Sequence, residues 1–175
     1  MSEENLVRQC APTLAGIKTG TIFPVPFEDL DSLTMEIREL NRILVPKGLR
    51  LLPLRYQDQK ALLYLYRPSE LRKDLKDQLA EALLADAGYP DKGSEQCVAY
   101  LARRFRSGGE FPHEVGLFLS YPPEDVKGFL EHRPCKCVGC WKVYGDVEQA
   151  RAAFRLYDKL KAALTTMLAA GVSFR

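Results

Sequence analysis

The sequence lacks a strong excess of charge of either sign. Lysine and arginine total 25 against 23 aspartates and glutamates, a formal net charge of +2, and the two kinds are interspersed. That argues against the broad electrostatic pull a nucleic-acid or anionic-membrane binder relies on. A run of about 18 apolar residues is also missing, so no transmembrane helix is expected. The opening stretch "MSEENLVRQCAPTLAG" is acidic and polar. It has neither the basic nor the apolar region of a signal peptide, and a cytoplasmic location is the expectation. Internal repeats, low-complexity tracts and long linkers are absent. Residues 1–175 are expected to form one domain, long enough to bury a core without disulfide staples.

Common catalytic signatures are missing too. "GIKTG" (Gly16 to Gly20) hints at a phosphate loop, but Ala11 stands where the first glycine should be and Ile17 separates Gly16 from Lys18. "FPHEVG" is not the zinc-protease H-E-x-x-H, because position 117 is Leu. There is no Ser-His-Asp order, EF-hand loop or dinucleotide fingerprint. Tyr64 and Tyr66 alternate on a strand without basic neighbours, which reads as core rather than as a nucleic-acid stacking platform.

What is present is a globular composition, 46% hydrophobic and 27% charged. After the polar start, the three prolines and two glycines of "CAPTLAGIKTGTIFPVPF" read as a loop with a short extended segment at 17–23. Phe27, Leu30, Leu33, Ile37, Leu40 and Leu44 are spaced by three or four, one face of a helix that Pro46 and Gly48 end. "GLRLLPLRY" and "KALLYLYRP" read as a hairpin. Pro53 marks the first as an edge or bulged strand, and the apolar run of the second marks a central one.

Leu71, Leu75, Leu79 and Leu83 predict one helix over 68–88, and Ser94 opens another. "EVGLFLSY" reads as a buried strand, "PPEDVKGFLEH" as a short helix, and "VGCWKVYG" as the last strand. Asp146 caps a C-terminal helix. The fold class is α/β, of the mixed α+β kind. About four strands form one mixed sheet with helices packed on it. The strands at 115–121 and 138–144 are candidates for a parallel pair with a right-handed crossover.

Three groups of residues could carry chemistry. His132, Cys135, Cys137 and Cys140 form H-x2-C-x-C-x2-C, and thiolate and imidazole are the ligands that zinc or iron centres take. The four ligands are crowded into nine residues. Cys140, beside Trp141, could instead point into the core as a small hydrophobe, and a redox thiol without metal is the third reading. His113 and Glu114 follow a flexible "SGG". His113 could act as acid/base or ligand, with Glu114 orienting it. Tyr121 ends the strand reading, at the place where ligands bind in open α/β sheets. Lys142 should face opposite to Trp141 and snorkel to solvent. Arg103, Arg104 and Arg106 read as a solvated helix face.

The blocks "CAPTLAGIK", "FPHEVGLFLSYPPEDVKGF" and "GCWKVYG" resemble a bacterial family catalogued as domain of unknown function 3793, over nearly the whole chain. These blocks carry Cys10, Lys18, His113, Glu114, Tyr121 and Asp125 here, together with Trp141, Lys142 and Tyr144. An aromatic often stands in the family where this chain has Cys140, which weakens the zinc reading. The resemblance implies a link to redox or iron physiology and assigns no activity. The three segments are therefore expected to converge at one edge of the sheet. They would form a small-molecule or cofactor pocket with His113 as acid/base or ligand, Lys18 as anion contact, Tyr121, Trp141 and Lys142 in the wall, and the Cys10 thiol in reach. A non-enzymatic partner of a redox protein is the alternative, and a metal-binding protein using the cysteine cluster the second.

Overall fold

The computed structural model describes residues 3–173 and shows a mixed α+β fold. A three-stranded antiparallel sheet has β3 (Lys60–Tyr66) between β1 (Gly20–Pro26) and β2 (Arg50–Gln57). The apolar run of β3 is explained by burial on both faces. Ala61, Leu63 and Leu65 pack towards α1 (Glu3–Leu14) and α2 (Leu30–Leu44). Tyr64 and Tyr66 pack with α3 (Pro68–Asp74), α4 (Gln78–Asp86) and α5 (Ser94–Arg106). The prolines fall on the edge strands, where a missing N–H removes no ladder bond from the centre. The β2–β3 register shifts between Pro53 and Arg55, a bulge at the expected place. Asp58 and Gln59 both have positive φ, which makes the tight primed turn that suits a twisted hairpin.

Four expectations are corrected. The first segment is a helix, not a loop. Leu6, Val7, Cys10 and Ala11 give α1 a buried stripe, and Pro12, in its last turn, gives up the bond a backbone amide there would make to the Arg8 carbonyl. Arg67 closes that end by donating from Nε to the Thr13 carbonyl (2.9 Å) and from Nη2 to that of Leu14 (2.7 Å). The single helix over 68–88 is two, because Asp77 caps a new one, accepting from the amides of Leu79 and Ala80. The buried set then moves from Leu71 and Leu75 to Ala80 and Leu84.

The strand expected at 115–121 is a buried 3-10 helix, His113–Leu119. A short apolar run fits either state when both sides are covered, and periodicity cannot separate them. Gly116 allows the tight packing there: a Cβ on it would lie 2.8 Å from both Tyr121 and Val126. The last strand is only a fragment. β4 (Cys137–Val138) and β5 (Lys142–Val143) pair antiparallel with each other, so the parallel pair with 115–121 does not form. The β4–β5 turn lies on the long C-terminal helix α7 (Val147–Ala169), where Gly139 meets the Phe154 ring. α7 also packs along α1, and Ser173 Oγ donates to the Glu3 carboxylate. No helix among the described residues is long and apolar enough to cross a membrane.

Candidate functional site

The site is organised by α6 (Pro123–Leu130). Prolines at its N-cap and first position fix its start, and Asp125 lies in its first turn, where the helix dipole favours an acid. Asp125 is 3% exposed. Its Oδ2 accepts from Trp141 Nε1 at 2.7 Å, and its Oδ1 accepts from the amides of Tyr144 and Gly145, each at 2.7 Å. Three donors thus tie α6 to the β4–β5 hairpin and hold the indole in place. The Trp141 ring then stacks on Tyr121 (centroids 4.9 Å apart) and meets Phe154 of α7 edge-on (4.6 Å).

The Tyr121–Trp141 pair belongs to the walls of two cavities. The smaller, about 300 Å³, is bounded by the 3-10 helix, α6 and the hairpin. His113 stands between the rings of Phe111 (5.3 Å) and Phe129 (5.0 Å), and Lys142 Nζ lies 5.4 Å from the Phe129 centroid. His113, Tyr121, Trp141 and Lys142 therefore share one cavity. Trp141 is buried and Lys142 exposed, as their alternation on the strand requires. The carboxylate in this wall, Asp125, is already taken by its three donors, so the polar groups left to meet a ligand are basic.

The larger cavity, about 500 Å³, lies between α3, the turn at 120–123 and α7. Its wall holds Asp74, Asp77, Ser120 and Tyr157. Ser120 adopts a left-handed conformation (φ 63°) and its Oγ accepts from the Thr19 amide at 2.6 Å. Thr19 Oγ1 in turn donates to Asp74 Oδ2 at 2.5 Å. Burial pushes the Asp74 carboxyl above the usual range, against the pull of that hydrogen bond. Tyr157 is pushed up to about 12, chiefly by burial and then by Cys140.

Lys18 lines neither cavity. The Pro12 carbonyl accepts from its amide, and its Nζ lies over the rings of Tyr121 (5.7 Å) and Tyr157 (5.9 Å). Burial lowers its pKa, and the thiols of Cys140 and Cys10 pull the other way. Cys10 itself is fully buried, on the inward face of α1. Burial raises its thiol far above the ordinary value despite Lys18, so it is a protonated core residue.

Glu114 is turned away from His113. Its Oε1 accepts from Tyr89 Oη and from Arg104 Nη1, both at 2.7 Å. Of the three arginines of α5 expected to form a solvated face, Arg103 and Arg106 are exposed, and the expectation is corrected for Arg104. Arg104 is paired with Glu114, and Arg106 donates to the carbonyls of Leu54 (3.2 Å) and Pro53 (3.0 Å).

The cysteine cluster does not converge. His132 is exposed at a positive φ just past α6, Cys135 and Cys140 are exposed, and Cys137 packs against the Trp141–Val143 core. The thiol doing core duty is thus Cys137, not Cys140. The hairpin spreads these side chains, and no group of three or more His, Cys, Asp or Glu among the described residues is arranged to hold a metal ion. All five cysteines are free.

Asp74, Ser120, Tyr157, Phe111 and Phe129 complete the two walls without having been singled out in the sequence. Ser120, next to Tyr121 and the Pro-Pro turn, is the one with a local signal. Asp74 and Tyr157 sit on amphipathic helices, where an acid and an aromatic are unremarkable.

Comparison with curated proteins and with solved structures gave no match. The chain belongs to the family described as "Protein of unknown function (DUF3793)", whose model matches residues 6–175.

Proposed function

We propose that the protein binds a small planar molecule carrying an acidic group in the cavity between the 3-10 helix, α6 and the β4–β5 hairpin. The carrying observation is the composition of that wall. Aromatic rings surround an apolar space, Asp125 is consumed internally, and the basic groups His113 and Lys142 remain. Rings favour a flat apolar body, the Lys142 ammonium favours an anion beside it, and the His113 imidazole can donate a hydrogen bond to it. A volume of about 300 Å³ suits a one- or two-ring ligand. Trp141 is 8% exposed and Tyr121 is half-buried, so this aromatic pair supports a cavity better than a flat face for docking a redox protein. The ligand's connection to redox or iron physiology is the finer part of the reading, carried by the family resemblance.

Trp141 is the only tryptophan in the chain, so its fluorescence reports on the two cavities it borders, and the His113 and Lys142 variants below assign a response to the smaller one. Benzoate is expected to change that emission saturably. Benzyl alcohol, with the same ring and no charge, should bind at least about tenfold more weakly. His113→Ala and Lys142→Ala should remove that preference and leave the thermal melt in place. Equal binding of the two probes, or no saturable response to either at about 10 mM, overturns the reading.

A further inference from the structure

The larger cavity, about 500 Å³, has no part in the acid-binding site proposed above, although both are bordered by the Tyr121–Trp141 pair. Its size falls in the range of small-molecule sites. The turn, the hairpin and α7 bring aromatic rings to its wall. Tyr121 stacks on Trp141, and the Tyr157 ring lies 6.5 Å from the indole at an angle of 55°. The end of α3 and the cap of α4 bring Asp74 and Asp77.

The charges in this wall do not balance. Asp77 is engaged as the cap of α4, its Oδ1 accepting from two amides. Lys73 is bound to Glu70 at 2.9 Å. Asp74 remains. The donor to its carboxylate is neutral, the Thr19 hydroxyl, and no cation among the described residues forms an ion pair with it. Burial raises its pKa, and Glu70 and Lys73 act on it in opposite directions. A half-buried carboxylate in a cavity wall is held at a cost until a cation meets it.

The rings are the second, separate observation. Lys18 Nζ lies over those of Tyr121 and Tyr157, 5.7 and 5.9 Å from their centroids, so an ammonium is already received by this aromatic group within the folded chain. Lys18 does not line the cavity and forms no ion pair with Asp74. The carboxylate and the rings both favour positive charge, and no side chain of the wall supplies it.

We infer that this cavity binds a small organic cation, an amine or quaternary ammonium compound, with its charged nitrogen between Asp74 and the rings of Tyr121, Trp141 and Tyr157. The rings take the methyl or methylene groups around the nitrogen, and Asp74 takes the charge. Lys18 repels such a ligand, so removing its charge strengthens binding.

The test is a titration of the full-length protein with choline at constant ionic strength, read by Trp141 emission and by broadening of the choline methyl proton signal. Saturable millimolar binding is expected. The uncharged analogue, with carbon in place of the nitrogen, should bind at least about tenfold more weakly. Asp74→Asn keeps an acceptor for Thr19, removes the charge, and should weaken choline about tenfold. Lys18→Met should tighten it about threefold. His113→Ala and Lys142→Ala should leave choline binding unchanged, and Asp74→Asn should leave benzoate binding unchanged, so the two cavities stand or fall separately. No saturable response below about 50 mM, equal binding of the uncharged analogue, or undiminished choline binding by Asp74→Asn would each overturn the inference.

Discussion

Glu114 and Asp125 are the two most buried acids described, at 4% and 3% exposure, and the structure satisfies them in opposite ways. Glu114 meets a cation, Arg104, together with the Tyr89 hydroxyl. Asp125 meets no cation: an indole N–H and two backbone amides surround it. Arg104 is a long side chain that keeps partial contact with water. If Glu114 lost its charge, Arg104 could rehydrate. The donors on Asp125 are fixed in a hairpin and an aromatic stack and cannot retreat. Glu114 is a catalytic candidate in the sequence, beside His113, and Asp125 belongs to the family-like block after the Pro-Pro turn; both are spent on holding the fold together. That is why the small cavity near them is left with a basic character.

The sharpest way to break the comparison is to delete both carboxylates in turn. Asp125→Ala strands three donors, two of them backbone, and should cost about 4 kcal/mol. For a chain of this length that is roughly a 10 °C fall in Tm. Trp141 emission should shift red as the indole loses its partner and the stack with Tyr121 loosens. Asp125→Asn keeps one acceptor oxygen and should recover about half of the loss.

Glu114→Gln should cost about 1.5 kcal/mol, because the amide oxygen still accepts from Tyr89 while Arg104 turns to solvent. It should leave benzoate binding unchanged, since the Glu114 carboxyl group points away from His113. Urea unfolding and the fluorescence titration read the two properties separately. An Asp125→Asn loss no larger than that of Glu114→Gln would show that the contrast between fixed and retractable donors is wrong.

The sheet side of the molecule was legible because its signals are local. Pro53 marked the bulge, the run "ALLYLY" marked the central strand, and the spacing of Leu33, Ile37, Leu40 and Leu44 marked α2. The segment 113–119 was not, because burial on all sides erases periodicity, and helix and strand then look alike. In α1, Pro12 and Gly16 masked a stripe of small and apolar residues that tertiary packing makes helical. At the site, His113, Tyr121, Trp141 and Lys142 could be named in advance, being rare or aromatic residues next to breaks in pattern. The expected pocket also included Lys18 and Cys10, which line neither cavity, and the tie that holds the other four, Asp125 reaching across to a hairpin that closes well downstream, left no local signal. Glu114 was assigned by adjacency to His113, but successive side chains on a tight helix diverge, and its partners came from Arg104 of α5 and from Tyr89, just past α4.

The smallest effects belong to two partly buried charges, Lys18 and Asp74, and here pH is the tool. Burial lowers the Lys18 pKa from 10.5, so the unfolded chain holds that proton more tightly than the folded one. Between the folded value and 10.5 the unfolded state binds more protons, and this group's contribution makes stability rise with pH. Lys18→Met keeps the contact with the Tyr121 and Tyr157 rings without the charge. It should melt about 2 °C higher than the native chain at pH 7. That gap should close as pH rises through the same window, where the native lysine gives up its proton. Asp74 gives the mirror image. Burial raises its pKa from 3.8, so between 3.8 and the folded value the native state binds more protons, and this contribution falls as pH rises. Asp74→Asn keeps an acceptor for Thr19, should be slightly more stable than the native chain at neutral pH, and should lose that advantage as pH falls through its window. Thermal melts of the three proteins from acid to alkaline pH decide it: gaps that stay constant, or close at the opposite ends, would mean that neither charge is under strain from burial.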